Sequence, residues 1–245
     1  MGMAISVDIR DLDETSADEA MGEAFAWLRW VDATFSTYQD ASEISRLGRS
    51  EICLADCAPE VSFVLDTCER LRTATDGYFD VRANGALDPS GFVKGWSVEV
   101  ASAMLAEHGS TSHCINAGGD VRVRGVPEPG RLWNIGVVHP SDRTALTTVV
   151  SVSDAGVATS GSAERGEHVF DPHTGAPATD LLSVTIVGPG LAYADAYATA
   201  AFAMGRRAPD WLRDLPNHES YVVDAGGFAW WTEGFVHYAP ALDSL

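Results

Sequence analysis

The spacing of apolar positions changes along this chain, from a helical period in the first half to alternation in much of the second. Residues 3–9 alternate weakly, as an edge strand does. Ser16-Ala-Asp-Glu19 reads as a capping box opening a helix whose apolar face carries Met21, Ala24, Phe25, Leu28 and Val31. A second helix is expected from Pro59, with Val61, Val64, Leu65, Cys68 and Leu71 on one face and Asp76-Gly77 as its stop. A third is expected from about Trp96 to His108, with Gly109 after its end.

Beyond that point Cys114–Asn116, Val121–Arg124, Trp133–Val137 and Thr147–Val152 read as antiparallel strands joined by Gly/Pro turns. Leu182–Val187 is a further strand, ended by Gly188-Pro-Gly190. An alanine-rich helix follows from Tyr193 to Met204, closed by Gly205. Tyr221-Val-Val223 and Phe228-Ala-Trp-Trp231 flank Asp224–Gly227 as a terminal hairpin. This order predicts an α+β fold, with residues 1–245 forming a single domain.

Composition narrows the function classes. The chain of 245 residues has a formal charge of −19, which opposes binding to a nucleic-acid backbone or an anionic membrane surface. Small anionic ligands are still allowed, because screening confines each charge to about 8 Å. No apolar run approaches the ~18 residues of a membrane span. The N-terminal residues show neither a secretory signal pattern nor a lipid-acceptor cysteine, so a cytoplasmic location is expected. Cys53, Cys57, Cys68 and Cys114 form no C-x-x-C pair and read as reduced thiols.

Several residues could carry chemistry. Lys94 is the sole lysine among sixteen lysine and arginine residues, and a compact ammonium suits a phosphate or an anionic leaving group. Codon bias in a GC-rich genome would also leave a lone lysine. Asp195 and Thr199 lie four apart on the alanine-rich helix and so share a face. Such hard oxygen donors can converge on Mg²⁺, although an aspartate there also answers the helix dipole and a threonine among alanines also packs. Asn116-Ala-Gly-Gly-Asp120 makes a glycine turn between strands. Tyr38 could stack on an aromatic ligand, and a half-buried tyrosine is the simpler outcome. His168 stands at a strand start, where it could act as a general base.

Taken in order, seven segments resemble the ApbE family of flavin:protein FMN transferases over nearly the whole chain. They are Ser36-Thr-Tyr38 with Ser42-Glu-Ile-Ser-Arg46, Gly77-Tyr-Phe-Asp80, Asp88-Pro-Ser-Gly-Phe-Val-Lys-Gly95, Asn116-Ala-Gly-Gly-Asp-Val-Arg122, Ala158-Thr-Ser-Gly161, His168-Val-Phe-Asp-Pro-His-Thr-Gly175 and Ala194-Asp-Ala-Tyr-Ala-Thr-Ala200. The resemblance implies a T-fold-like α+β architecture, FAD as substrate and Mg²⁺ as cofactor. It implies transfer of FMN to a threonine or serine of an acceptor flavoprotein, with AMP as the other product. Carried over by position, metal ligands fall on Asp195, Thr199 and the Gly91 carbonyl. FAD contacts fall on Met1, Tyr38, Tyr78, Phe79, Asp80, Asp88, Lys94 and Val169, and His168 matches the residue that activates the acceptor hydroxyl. Two alternatives share these residues: an FAD pyrophosphatase yielding FMN and AMP, and a non-catalytic FAD-binding protein. The chain departs from the family pattern in the short Val81–Leu87 segment, where typical members carry a longer insertion.

Overall fold

The computed structural model describes residues 2–161 and 169–244. The elements run β1 (Ile5–Ile9), α1 (Glu14–Phe35), α2 (Glu43–Gly48), α3 (Pro59–Ala74), α4 (Ser90–Glu107), β2 (His113–Ala117) and β3 (Asp120–Arg124). They continue with β4 (Trp133–His139), β5 (Asp142–Val152), β6 (Gly156–Gly161), β7 (Leu181–Gly188), α5 (Leu191–Met204), α6 (Ala208–Arg213), β8 (Glu219–Asp224) and β9 (Ala229–Trp231). Seven strands form one antiparallel sheet in the order β1-β2-β3-β6-β7-β8-β9, and β4 and β5 pair separately as a ribbon. The α+β expectation holds, and β1 is an edge strand as its weak alternation implied.

Side-chain alternation along the strands feeds a core on each face of the sheet. Ile115, Val184, Ile186 and Val222 pack against α1, α4 and α5, alongside Leu28, Val98, Leu105 and Ala198. Val121, Val123, Val187, Tyr221 and Val223 point the other way, onto Trp133, Val137, Val150 and Val152 of the ribbon and onto Phe235. β7 is buried on both faces, Ser183 and Thr185 included. Among the described residues no helix is long and apolar enough to cross a membrane.

Three helix starts and one strand differ from expectation, α5 only by opening at Leu191 instead of Tyr193. Helix α1 begins at Glu14 because Asp13 is its N-cap, accepting the Ser16 N–H at 3.0 Å and the Ser16 hydroxyl at 3.1 Å. Ser16 therefore donates to the cap and is not itself the cap. Helix α4 starts at Ser90, not near Trp96, so Gly91, Lys94 and Gly95 are helical. The low intrinsic propensity of the two glycines is overridden by packing against α5. Strand β6 went unrecognised because Gly-Val-Ala-Thr-Ser-Gly looks like a loop. A Cβ at Gly156 would lie within 2.4 Å of the Leu191 backbone nitrogen, so close chain approach demands this glycine.

One polar network is sealed in this core. His113 is fully buried, with Ser102 Oγ 2.7 Å from its Nε2 and Ser110 Oγ 3.0 Å from its Nδ1. Ser110 donates its single proton to Asp11 at 3.0 Å, so Nδ1 must donate to Ser110 and Nε2 must accept from Ser102. That pattern is satisfied by the neutral imidazole. Burial, with Arg124 and Arg122 adding to it, pushes the His113 pKa down to about 4.

The sign of the consequence follows from linkage. Below about pH 6.5 the unfolded chain takes a proton that the folded chain refuses, so stability falls with pH until about 4. The gap corresponds to about 3 kcal/mol. Urea unfolding at pH 7 and pH 4.5 should therefore show wild type losing about 2 to 3 kcal/mol more than His113→Gln. Equal losses would mean that His113 titrates alike in both states.

Candidate functional site

The site forms where α4 crosses α5. A Cβ on Gly95 would sit 2.6 Å from the Leu191 carbonyl oxygen and 2.9 Å from Asp195 Cβ, so only glycine allows the two helices this close. One turn earlier, a Cβ on Gly91 would meet a Phe79 ring carbon at 3.2 Å and the Thr199 side chain at 3.4 to 3.5 Å. Gly91 and Gly95 on α4 thus face Thr199 and Asp195 on α5, turn against turn. The Gly95 N–H, in the second turn of α4, donates to Asp195 Oδ2 at 2.9 Å. Thr199 Oγ1 lies 3.4 Å from Ser160 Oγ on β6.

The same crossing gathers charge. Lys94 Nζ stands 2.5 Å from Asp120 Oδ2 and 3.3 Å from Asp195 Oδ1. Asp120 is fully buried at the start of β3, and Asp195 is buried to 2% exposure. Burial pushes the Asp195 carboxyl up to about 8; the Lys94 ammonium pulls against that shift and the Asp120 carboxylate adds to it. With one ammonium for two buried carboxyls, Asp195 resists ionisation, and a bound cation would favour its charged form. Among the described residues no group of three or more His, Cys, Asp or Glu could hold a metal ion by itself. A small hard cation here would need the Asp195 carboxylate, the Thr199 hydroxyl, a backbone carbonyl and ligand oxygens, which is the donor pattern Mg²⁺ takes. The residues fit that ion.

This charged floor closes a cavity of about 350 Å³. Tyr38, Tyr78, Phe79, Asp80, Asp88, Gly91, Lys94, Val169, Asp195 and Thr199 all line it. Met1 and His168, also singled out from the sequence, lie outside the described residues. Thr75 Oγ1 accepts the Phe79 N–H at 2.9 Å, and Tyr78 packs on His173 with ring centroids 4.5 Å apart, so this aromatic wall is fixed from behind. Tyr38 differs from the half-buried expectation. It stands at the rim 87% exposed, with its ring face available to a ligand. Residues 80–88 form a tight loop, clasped by the Asp88 N–H on the Val81 carbonyl at 2.7 Å.

Three features escaped the sequence reading. Asp120 looked like a hairpin residue, and its signal was an acid at the buried start of a strand. Thr159 and Ser160 sat in a motif without a role, although both line the cavity. The glycine pair four apart on one helix was legible as a close-approach signal once α4 was extended to Ser90.

The fold and site together define an α+β protein with an aromatic-walled cavity ending in one ammonium and hard oxygen donors, a lining chemically suited to a phosphate-bearing ligand. The ApbE family profile matches residues 1–86 and 81–222, and the chain belongs to that family. An FAD:protein FMN transferase of Vibrio cholerae serotype O1 is 31% identical over 129 residues, covering 49% of this chain and 39% of the relative. One from Treponema pallidum is 32% identical over 163 residues, covering 58% and 44%. The aligned stretch thus spans less than half the length of either relative. Among solved structures, the flavin transferase ApbE from Vibrio cholerae superposes with a TM-score of 0.84 at 20% identity, covering 97% of this chain and 96% of that one. The ApbE protein from Thermotoga maritima gives 0.84 at 21% identity with the same coverage. These two likenesses establish the fold.

The two glycines should respond differently to a methyl group. In Gly95→Ala the clash is with backbone, so the helices must separate, at a cost of about 1 to 3 kcal/mol. In Gly91→Ala the neighbours are side chains, and stability should stay within about 1 kcal/mol of wild type. Urea unfolding of both variants tests this; a more damaging Gly91→Ala would contradict the crossing geometry.

Proposed function

We propose that this protein transfers the FMN half of FAD to a serine or threonine hydroxyl of an acceptor flavoprotein, releasing AMP. The observation carrying this reading is the convergence of ten residues on one cavity, each of them marked by the family resemblance as an FAD or metal contact. The names of the relatives, FAD:protein FMN transferase, agree with it.

Asp195, Thr199 and the Gly91 carbonyl would hold Mg²⁺, which supplies charge neutralisation at the diphosphate when bound. Phe79 and Tyr38 offer aromatic surface to a ring of the dinucleotide, with Tyr78 backing that wall, and Asp80, Asp88, Val169 and Met1 complete the contacts. The acceptor oxygen bonds to the phosphorus on the riboflavin side, and the bond from that phosphorus to the bridging oxygen breaks. AMP leaves with the bridging oxygen and its electron pair. Lys94 stabilises the charge that develops there, and His168 takes the proton of the attacking hydroxyl. A reacting phosphoryl group shielded by buried side chains gains more from each such contact than it would in water.

Incubation with FAD, Mg²⁺ and candidate acceptor domains, followed by intact-protein mass spectrometry and nucleotide chromatography, separates the readings. Transfer gives a covalent FMN adduct with free AMP. Free FMN with AMP would mark a pyrophosphatase, and unchanged FAD a carrier. Asp195→Ala should abolish transfer and weaken FAD binding in Mg²⁺. His168→Ala should still bind FAD while transfer falls by about 10²- to 10⁴-fold. Wild-type labelling by His168→Ala would mean that another group takes the proton.

A further inference from the structure

We propose that Asp120 is the positioning residue for Lys94, holding the ammonium in place when Asp195 is committed to a cation. The inference rests on the proposed reaction for its purpose, and on the geometry of this chain for its content.

Asp120 follows Gly118 and Gly119, whose φ values of 63° and 104° let the β2–β3 turn be tight and set Asp120 at the first position of β3. There it is wholly withdrawn from solvent. The backbone pairing of β3 with β6 covers Val121 with Val157 and Arg122 with Gly156. Beyond it, the Asp120 side chain accepts the Thr159 N–H through Oδ1 at 2.9 Å, in place of a further ladder bond. Oδ2 meets Lys94 Nζ at 2.5 Å. One carboxylate therefore joins β3, β6 and α4.

Asp195 is placed differently. It meets Lys94 at 3.3 Å through Oδ1 and spends Oδ2 on the Gly95 N–H. A cation drawing on Asp195 competes with Lys94 for it. A lysine stem is flexible, and an ammonium that loses its partner swings toward water. Asp120 does not line the cavity, so among these three groups Lys94 and Asp195, not Asp120, meet a ligand directly. It keeps the closer hold, and the ammonium stays aimed into the cavity after Asp195 changes partner. A purely structural role would need only an acceptor for the Thr159 N–H, which an amide oxygen supplies equally well. The charge is what the lysine needs.

Asp120→Asn separates the two roles. Because Lys94 is the only lysine, ¹⁵N-lysine labelling gives one side-chain ammonium resonance to follow. In wild type this signal should persist when Mg²⁺ and FAD are added. In Asp120→Asn it should broaden or vanish on the same addition, and kcat for transfer should fall about tenfold or more while the FAD KM moves less. An unchanged signal with unchanged kcat would overturn the proposal. Should Asp120→Asn fail to fold, a second pair decides. Lys94→Met strands a buried carboxylate, so it should melt below the double variant Lys94→Met/Asp120→Asn; equal or reversed melting temperatures would again overturn it. If wild type itself transfers no FMN, the functional reading fails, while the ammonium and melting arms still report whether Asp120 holds Lys94.

Discussion

Helices α4 and α5 meet with backbone against backbone at Gly95, and this contact sets the positions of the groups around it. The Leu191 carbonyl and the Asp195 side chain occupy the space a Cβ would take. That proximity lets the Gly95 N–H reach Asp195, brings Lys94 between two buried carboxylates and aligns Gly91 with Thr199. One turn further along α4, Glu99 accepts the Leu191 N–H at 2.7 Å and pairs with Arg122 at 2.8 Å, so the start of α5 is capped by its neighbour and not by its own N-cap glycine. The crossing is thereby held at both ends, and the sheet beneath it, through Asp120 on β3 and Ser160 on β6, supplies the remaining polar groups.

A chain with a net charge of −19 is a poor general host for a diphosphate. The structure meets this by enclosure. Lys94 and its two carboxylates sit in a shielded pocket, where local geometry outweighs distant surface charge because solvent and salt screen the latter. Asp195 is held back from ionising by burial and by Asp120, so a divalent cation there would favour its charged form and add the positive charge a diphosphate needs. In the proposed reaction the protein's acidity and its anionic substrate are reconciled at this one place.

Much of the framework was legible in local patterns. The apolar faces of α1, α3 and α5, the alternation of β2, β3 and β4 and the terminal hairpin all appear near their expected positions. The first turns of α4 and strand β6 did not, because Gly91, Gly95 and Gly156 answer to partners far along the chain. Gly95 and Asp195 are a hundred residues apart, and no local period records their contact. The pairing of Asp195 with Thr199 on one face followed from helical spacing alone, and the lone lysine pointed to Lys94. The role of the aromatic wall and the His168 assignment came from the family resemblance. Asp120 was visible only as a turn residue, since its role depends on a lysine from a different element.

The most direct measurement is a crystal structure of the protein with FAD and Mn²⁺ in place of Mg²⁺, read by anomalous scattering. The expected result is a single anomalous peak coordinated by Asp195 and Thr199, with the FAD diphosphate completing its shell within hydrogen-bond reach of Lys94. An FAD molecule bound with its diphosphate away from Lys94, or an ion that leaves Asp195 untouched, would contradict the assignment of this cavity.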